Sequence, residues 1–189
     1  MGGLMKRLII GISGASGVIY GIRMLEVLVD KVETHLIITD QARKLISSET
    51  DYSLEEVEKL ASSVHSDNDL FSPLASGTFI TEGMIVIPCS IKSLSAIANC
   101  CSNSLLTRAA DVNIKERRRV VLVVRETPLN LGHIRLMAQV TEMGGIILPP
   151  VPAFYQRPKN LSEIIDYTVG KILDLFYIQH DLYKRWRED

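Results

Sequence analysis

At 189 residues, with 47% hydrophobic and 23% charged residues and a formal net charge of −1, the chain suits one globular domain and not a dedicated nucleic-acid binder. No apolar run approaches the ~18 residues of a membrane span, and the opening MGGLMKR lacks the apolar centre of a signal peptide. Cys89, Cys100 and Cys101 form no C-x-x-C spacing and the four histidines are scattered, so the chain reads as cytoplasmic, without metal, its cysteines small buried residues.

The first element is the apolar run RLIIGI, which ends in Gly11, Gly14 and Gly17 before Val18, Ile22, Leu25 and Val29 recur at helical spacing. This is a strand, a glycine turn and a helix. Such a turn either cradles a phosphate at the helix N-terminus or serves only close helix–strand packing. Its spacing matches neither G-x-G-x-x-G, nor a P-loop, nor the hydrolase elbow G-x-S-x-G.

THLIIT then reads as a second strand, and DQARKLISSE as a helix after it. DYSLEEVEKLASS starts at a plausible cap and continues as a surface helix. His65 to Gly83 is irregular and reads as a long functional loop. MIVIPC, VVLVV and GIILPP give the third, fourth and fifth strands. The basic run KERRR reads as a solvated helix end. A long helix closes the chain, with Leu161, Ile165, Thr168, Val169, Ile172 and Phe176 as its apolar stripe. Buried strands without polar alternation, separated by helices, specify a doubly wound α/β domain. The sheet is parallel, flavodoxin-like or Rossmann-like, with helices on both faces, and residues 1–189 form one domain.

In such sheets ligands bind beyond the carboxyl ends of the strands. Gly14, Ala15 and Ser16 follow the first strand and Thr39 the second. Ser90, Ile91, Lys92 and Ser93 follow the third, Arg125 and Glu126 the fourth, and Tyr155 lies after the fifth. Hydroxyls, cations, a carboxylate and a phenol on one rim compose a phosphate-binding, acid/base-capable site. Each also has a plainer reading: Thr39 and Ser90 as helix caps, Arg125–Glu126 as a local ion pair, Tyr155 as packing, Lys171 as a snorkelling lysine.

GISGASG, PCSIKSLS, LLTRAADVNIKERR, VRETPL and PPVPAFYQRP, in this order, resemble the UbiX/Pad flavin prenyltransferases from about Lys6 to Trp186. The resemblance implies a metal-independent enzyme that joins a dimethylallyl group from dimethylallyl monophosphate to N5 and C6 of reduced FMN. The product would serve a UbiD-type decarboxylase, and the chain would assemble as a homododecamer without membrane or nucleic-acid partners. FMN would be held by Gly14, Ala15, Ser16, Thr39, Ser90, Ile91, Lys92, Ser93 and Arg125. The prenyl phosphate would meet Arg108, Lys115, Arg125, Tyr155 and Lys171, with Ser16 and Glu126 moving protons. The alternative within the same fold is an FMN-dependent decarboxylase acting directly on an aromatic or cysteinyl acid. Three positions depart from the family pattern: Thr39 stands in place of Ser, Lys171 in place of Arg, and Leu70 where some members carry Trp.

Overall fold

Runs of Ile, Leu and Val form the centre of the protein, whose computed structural model describes residues 6–185. Six strands pair in parallel: β1 (Arg7–Ile12), β2 (Glu33–Ile38), β3 (Ser63–Ser66), β4 (Gly83–Cys89), β5 (Arg119–Val124) and β6 (Ile146–Ile147), in the order β3-β2-β1-β4-β5-β6. Every pairing is parallel, with Ile10 opposite Leu36 on one side of β1 and Ile85 on the other. The central strands are buried on both faces, as helix-covered parallel sheets require. The order reverses between β1 and β4, where a doubly wound sheet opens its ligand crevice.

On one face Ile9, Met84, Val86, Leu122 and Val124 form a core with Leu94, Ile97, Leu106, Ala109 and Val140. Those residues come from α4 (Ile91–Ala98), α5 (Leu105–Lys115) and α6 (Leu131–Glu142). The opposite face carries α1 (Val18–Leu28), and α2 (Asp40–Glu49) packs beside α1. Gly21 lets α1 lie directly on the sheet: a Cβ there would sit 2.5 Å from the Ile87 carbonyl. The chain divides into two compact units, residues 1–149 and 150–189. The second holds a 3-10 turn at Phe154–Gln156 and α7 (Leu161–Leu175), in which Ile165, Thr168, Val169 and Ile172 are buried.

Several sequence expectations change. The surface helix stops early, as α3 (Leu54–Lys59), and the polar SVHS after it is the edge strand β3. A strand paired on one side needs only alternate burial, so it lacks the apolar run by which inner strands are found. GIILPP shrinks to Ile146–Ile147 because Pro149 and Pro150 have no N–H for a ladder. Val29 and Leu161 are exposed rather than part of their apolar stripes. Of the cysteines only Cys89 is buried. Arg118 in the basic run is not merely solvated: its guanidinium donates to the Phe79 and Gly77 carbonyls at 2.7 and 2.6 Å. Trp186 lies outside the described residues.

At the sheet edge, two histidines that the sequence leaves scattered meet. His35 Nδ1 lies 3.1 Å from His65 Nε2, and His35 Nε2 lies 3.2 Å from Glu33, which Arg7 also holds at 2.9 Å. His65 Nδ1 lies 2.9 Å from Ser72 Oγ. Burial lowers both imidazole pKa values from the usual 6.5. Glu33 opposes that at His35 and Arg7 adds to it, while at His65 the His35 ring adds and Asp69 opposes. The unfolded chain therefore binds these protons first, and their contribution to stability is complete above pH 6.5 and lost below it. The thermal midpoint is expected to fall as pH drops from 6.5 toward 5. A midpoint flat across that window, read by scanning calorimetry, contradicts this.

Candidate active site

The loops that leave the carboxyl ends of β2, β1, β4 and β5 are hydrogen-bonded into one continuous rim. The Thr39 amide donates to the Ile12 carbonyl at 3.1 Å and the Arg125 amide to the Cys89 carbonyl at 3.1 Å. Between them stands Ser13, which the sequence reading passed over. Its amide and its Oγ both donate to the Pro88 carbonyl, at 3.2 and 3.0 Å, and its Oγ accepts the Ser90 amide at 2.8 Å. Ser13 is fully buried, so a single hydroxyl bolts the turn after β1 to the turn after β4.

This rim brings Gly14, Ala15, Ser16, Thr39, Ser90, Ile91, Lys92, Ser93, Arg125 and Glu126 to one edge of the sheet. Gly14 and Ser16 are exposed and Ala15 is half-buried in the turn. Gly17 takes the left-handed conformation, φ 96°, that starts α1. Its amide donates to the Glu49 carboxylate at 2.8 Å, so this end of α1 already faces a protein anion. Thr39 and Ser90 are helix caps: Thr39 accepts from the Ala42 amide at 3.3 Å, and Ser90 from the Ser93 amide at 3.2 Å. Capping does not remove them from the rim, because it is what directs the N-termini of α2 and α4 toward it. Those two ends supply positive dipole ends beside exposed Lys92 and Arg125. Such a donor set fits a phosphate group.

Tyr20 is a second residue that the sequence reading missed. It lies on the first turn of α1 with its ring against Gly17, where an added Cβ would be 3.2 Å from Cδ2. Burial raises its phenol pKa, and the positive charge of Arg125 works in the opposite direction. The charge of Arg125, beyond the end of β5, thus reaches the first turn of α1. Only a Tyr one turn into the first helix hints at this in the sequence. Glu126 is exposed, and its carboxylate accepts the Thr127 amide at 2.9 Å.

Arg108 and Lys115 lie on α5, near its two ends. Arg108 is committed to the Ala75 carbonyl at 3.2 Å and to Asp111 at 2.8 Å. Lys115 ends α5, pairs with Glu116 and lies just before β5, at the amino edge of the sheet. The six residues of β5 separate it from Arg125, a span of about 20 Å at 3.3 Å per residue. In the second unit Tyr155 is exposed on the 3-10 turn and bonds to Tyr167, while Lys171 is exposed on α7.

A sequence model of the Flavoprotein family matches residues 4–185. The flavin prenyltransferase UbiX of Escherichia coli K12 is 55% identical over 187 residues, covering 97% of this chain and 99% of that protein. The UbiX enzyme of Thauera aromatica is 55% identical over 181 residues, covering 95% and 93%. Among solved structures, AnUbiX (PadA1) in complex with FMN and dimethylallyl pyrophosphate superposes with a TM-score of 0.96 at 45% identity, over 97% of this chain and 98% of that one. A dodecameric FMN-dependent UbiX-like decarboxylase from Escherichia coli O157:H7 follows at 0.94 and 41%, over 96% and 99%.

Proposed function

The chain belongs to the Flavoprotein family, and from that premise we propose that it is a flavin prenyltransferase. It binds FMN and joins a dimethylallyl group from dimethylallyl monophosphate to N5 and C6 of the reduced flavin. The observation that carries this is near-full-length identity to flavin prenyltransferases, together with a rim whose donors suit phosphates.

The turn Gly14–Ser16, Thr39, Ser90, Ile91, Lys92, Ser93 and Arg125 hold the flavin. In prenyl transfer the allylic C–O bond breaks and its electron pair leaves with the phosphate. Cations stabilise that developing charge without a metal, and Arg125, Lys115, Lys171 and Arg108 are assigned that work, with Tyr155 donating a hydrogen bond. Glu126 delivers a proton to the leaving phosphate, and the Ser16 hydroxyl moves the proton released on the other side of the reaction. Reduced FMN, when bound, supplies the electron-rich ring that accepts the allyl carbon. Because Lys115 and Arg125 lie at opposite ends of β5, Lys115 is assigned to a site on a second copy of the chain. Exposed Leu131 and Ile134 on α6 support self-association, and a dodecamer is the assembly assigned. A UbiD-type decarboxylase is the assigned user of the product. Exposed free thiols at Cys100 and Cys101 suit a reducing cytoplasm. Among the described residues no helix is long and apolar enough to cross a membrane.

Anaerobic incubation with reduced FMN and dimethylallyl monophosphate, in buffer with chelator, is expected to yield a flavin heavier by one five-carbon unit. Mass spectrometry reads the outcome. Unchanged flavin, or release of carbon dioxide from an aromatic or cysteinyl acid by the protein alone, favours the direct decarboxylase instead.

A further inference from the structure

We infer that Tyr167 is a positioning residue for prenyl transfer, holding the Tyr155 phenol in place for the prenyl phosphate. This rests on the assignment of Tyr155 to that ligand. The two hydroxyl oxygens are 2.7 Å apart, and the rings meet edge to face with centroids 6.1 Å apart. Tyr155 sits on a three-residue 3-10 turn and is 57% exposed, so its own element does little to hold the ring. Tyr167 lies instead on the fifteen-residue α7 and is half-buried.

Behind Tyr167 stands a fixed anion. Its ring packs on Tyr183 at 5.0 Å between centroids, and the Tyr183 hydroxyl donates to Asp174. Asp174 also accepts from Arg185 at 2.7 Å and lies 3.1 Å from His180 Nε2. Burial pushes the Asp174 carboxyl up, but the bonds from Arg185, Tyr183 and His180 outweigh it and hold its pKa at about 2. Gln156, next to Tyr155, donates to the Lys184 carbonyl at 3.0 Å, which ties the turn to this same segment. All of these residues lie within 150–185.

Either hydroxyl of the pair can donate to the other. Burial first, then the bond to Tyr155 and the charge of Asp174, push the Tyr167 phenol up to about 12. Tyr167 therefore stays neutral at physiological pH and sets no negative charge beside the anionic ligand that Tyr155 is assigned to meet.

The test uses the full-length, FMN-loaded enzyme and titrates dimethylallyl monophosphate by calorimetry alongside turnover. Tyr167→Phe keeps the ring packing and removes only the hydroxyl. Its affinity for dimethylallyl monophosphate is expected to fall about fivefold to tenfold, the loss of one hydrogen bond, with KM rising in step. FMN affinity and thermal midpoint should stay close to those of the parent. Tyr155→Phe should lose at least as much, and the double variant no more than Tyr155→Phe alone, because one hydroxyl acts through the other. The inference is overturned if Tyr167→Phe costs its full amount again in the Tyr155→Phe background, or costs nothing while Tyr155→Phe weakens binding. If Tyr155→Phe itself binds normally, the assignment of Tyr155 to the ligand has failed, and the inference falls with it.

Discussion

Glu126→Gln is expected to turn over at least about a hundredfold more slowly than the parent protein while binding FMN and dimethylallyl monophosphate as before. The geometry makes this substitution clean. Glu126 follows β5 by one residue, and the backbone before it is fixed by the Arg125 amide on the Cys89 carbonyl at 3.1 Å. Its carboxylate Oε1 accepts the Thr127 amide at 2.9 Å. A glutamine carbonyl can accept that same amide, so the side chain keeps its place and loses only its capacity to hand over a proton. Removal of a positioned general acid costs about 10²–10⁴ in rate. The remaining cations still stabilise the departing phosphate, which is why turnover survives at a reduced level rather than vanishing. Single-turnover kinetics and a parallel FMN titration measure both halves of the expectation. Near-normal turnover with binding intact would remove Glu126 from proton transfer. A parallel loss of FMN affinity would make it a flavin ligand instead.

The rim around Glu126 was legible in the sequence to the extent that it follows from local rules. Apolar runs such as LIIGI and VVLVV locate strands, and strands in a parallel sheet point their carboxyl ends the same way. From that alone, Gly14–Ser16, Thr39, Ser90–Ser93 and Arg125–Glu126 fall on one edge, and they do. What escaped is tertiary. Ser13 looks like the end of a strand, and only the pairing of β1 with β4 makes it the clamp between two turns. Glu49 lies 32 positions from the Gly17 amide it accepts, and no local pattern announces that meeting. Tyr20 feels the charge of Arg125, far along the chain, only through the packing of the folded protein. β3 escaped for the opposite reason: an edge strand needs so little apolar surface that SVHS carries no signal.

Lys115 and Arg125 carry a larger expectation, because motif order cannot say which edge of the sheet a residue occupies. Both are assigned to the prenyl phosphate, yet in one chain they lie at opposite ends of β5. A phosphate a few ångströms across cannot touch both. If Lys115 serves a neighbouring copy's site, then Lys115→Ala cripples that site while leaving the chain's own Glu126 intact. In Glu126→Gln the damage is reversed. Each variant alone is expected to be at least tenfold slower than the parent, since a charged hydrogen bond or the general acid is lost. In oligomers assembled from equal amounts of the two, a site is whole when its Glu126 comes from the Lys115→Ala chain and its lysine from the Glu126→Gln chain. Random assembly makes roughly a quarter of the sites whole. Coexpressed, doubly tagged hybrids should therefore recover roughly a quarter of parental turnover, well above the mean of the two variants. Turnover no higher than that mean would place Lys115 in its own chain's chemistry, against the geometry. Full activity in Lys115→Ala alone would remove it from the reaction.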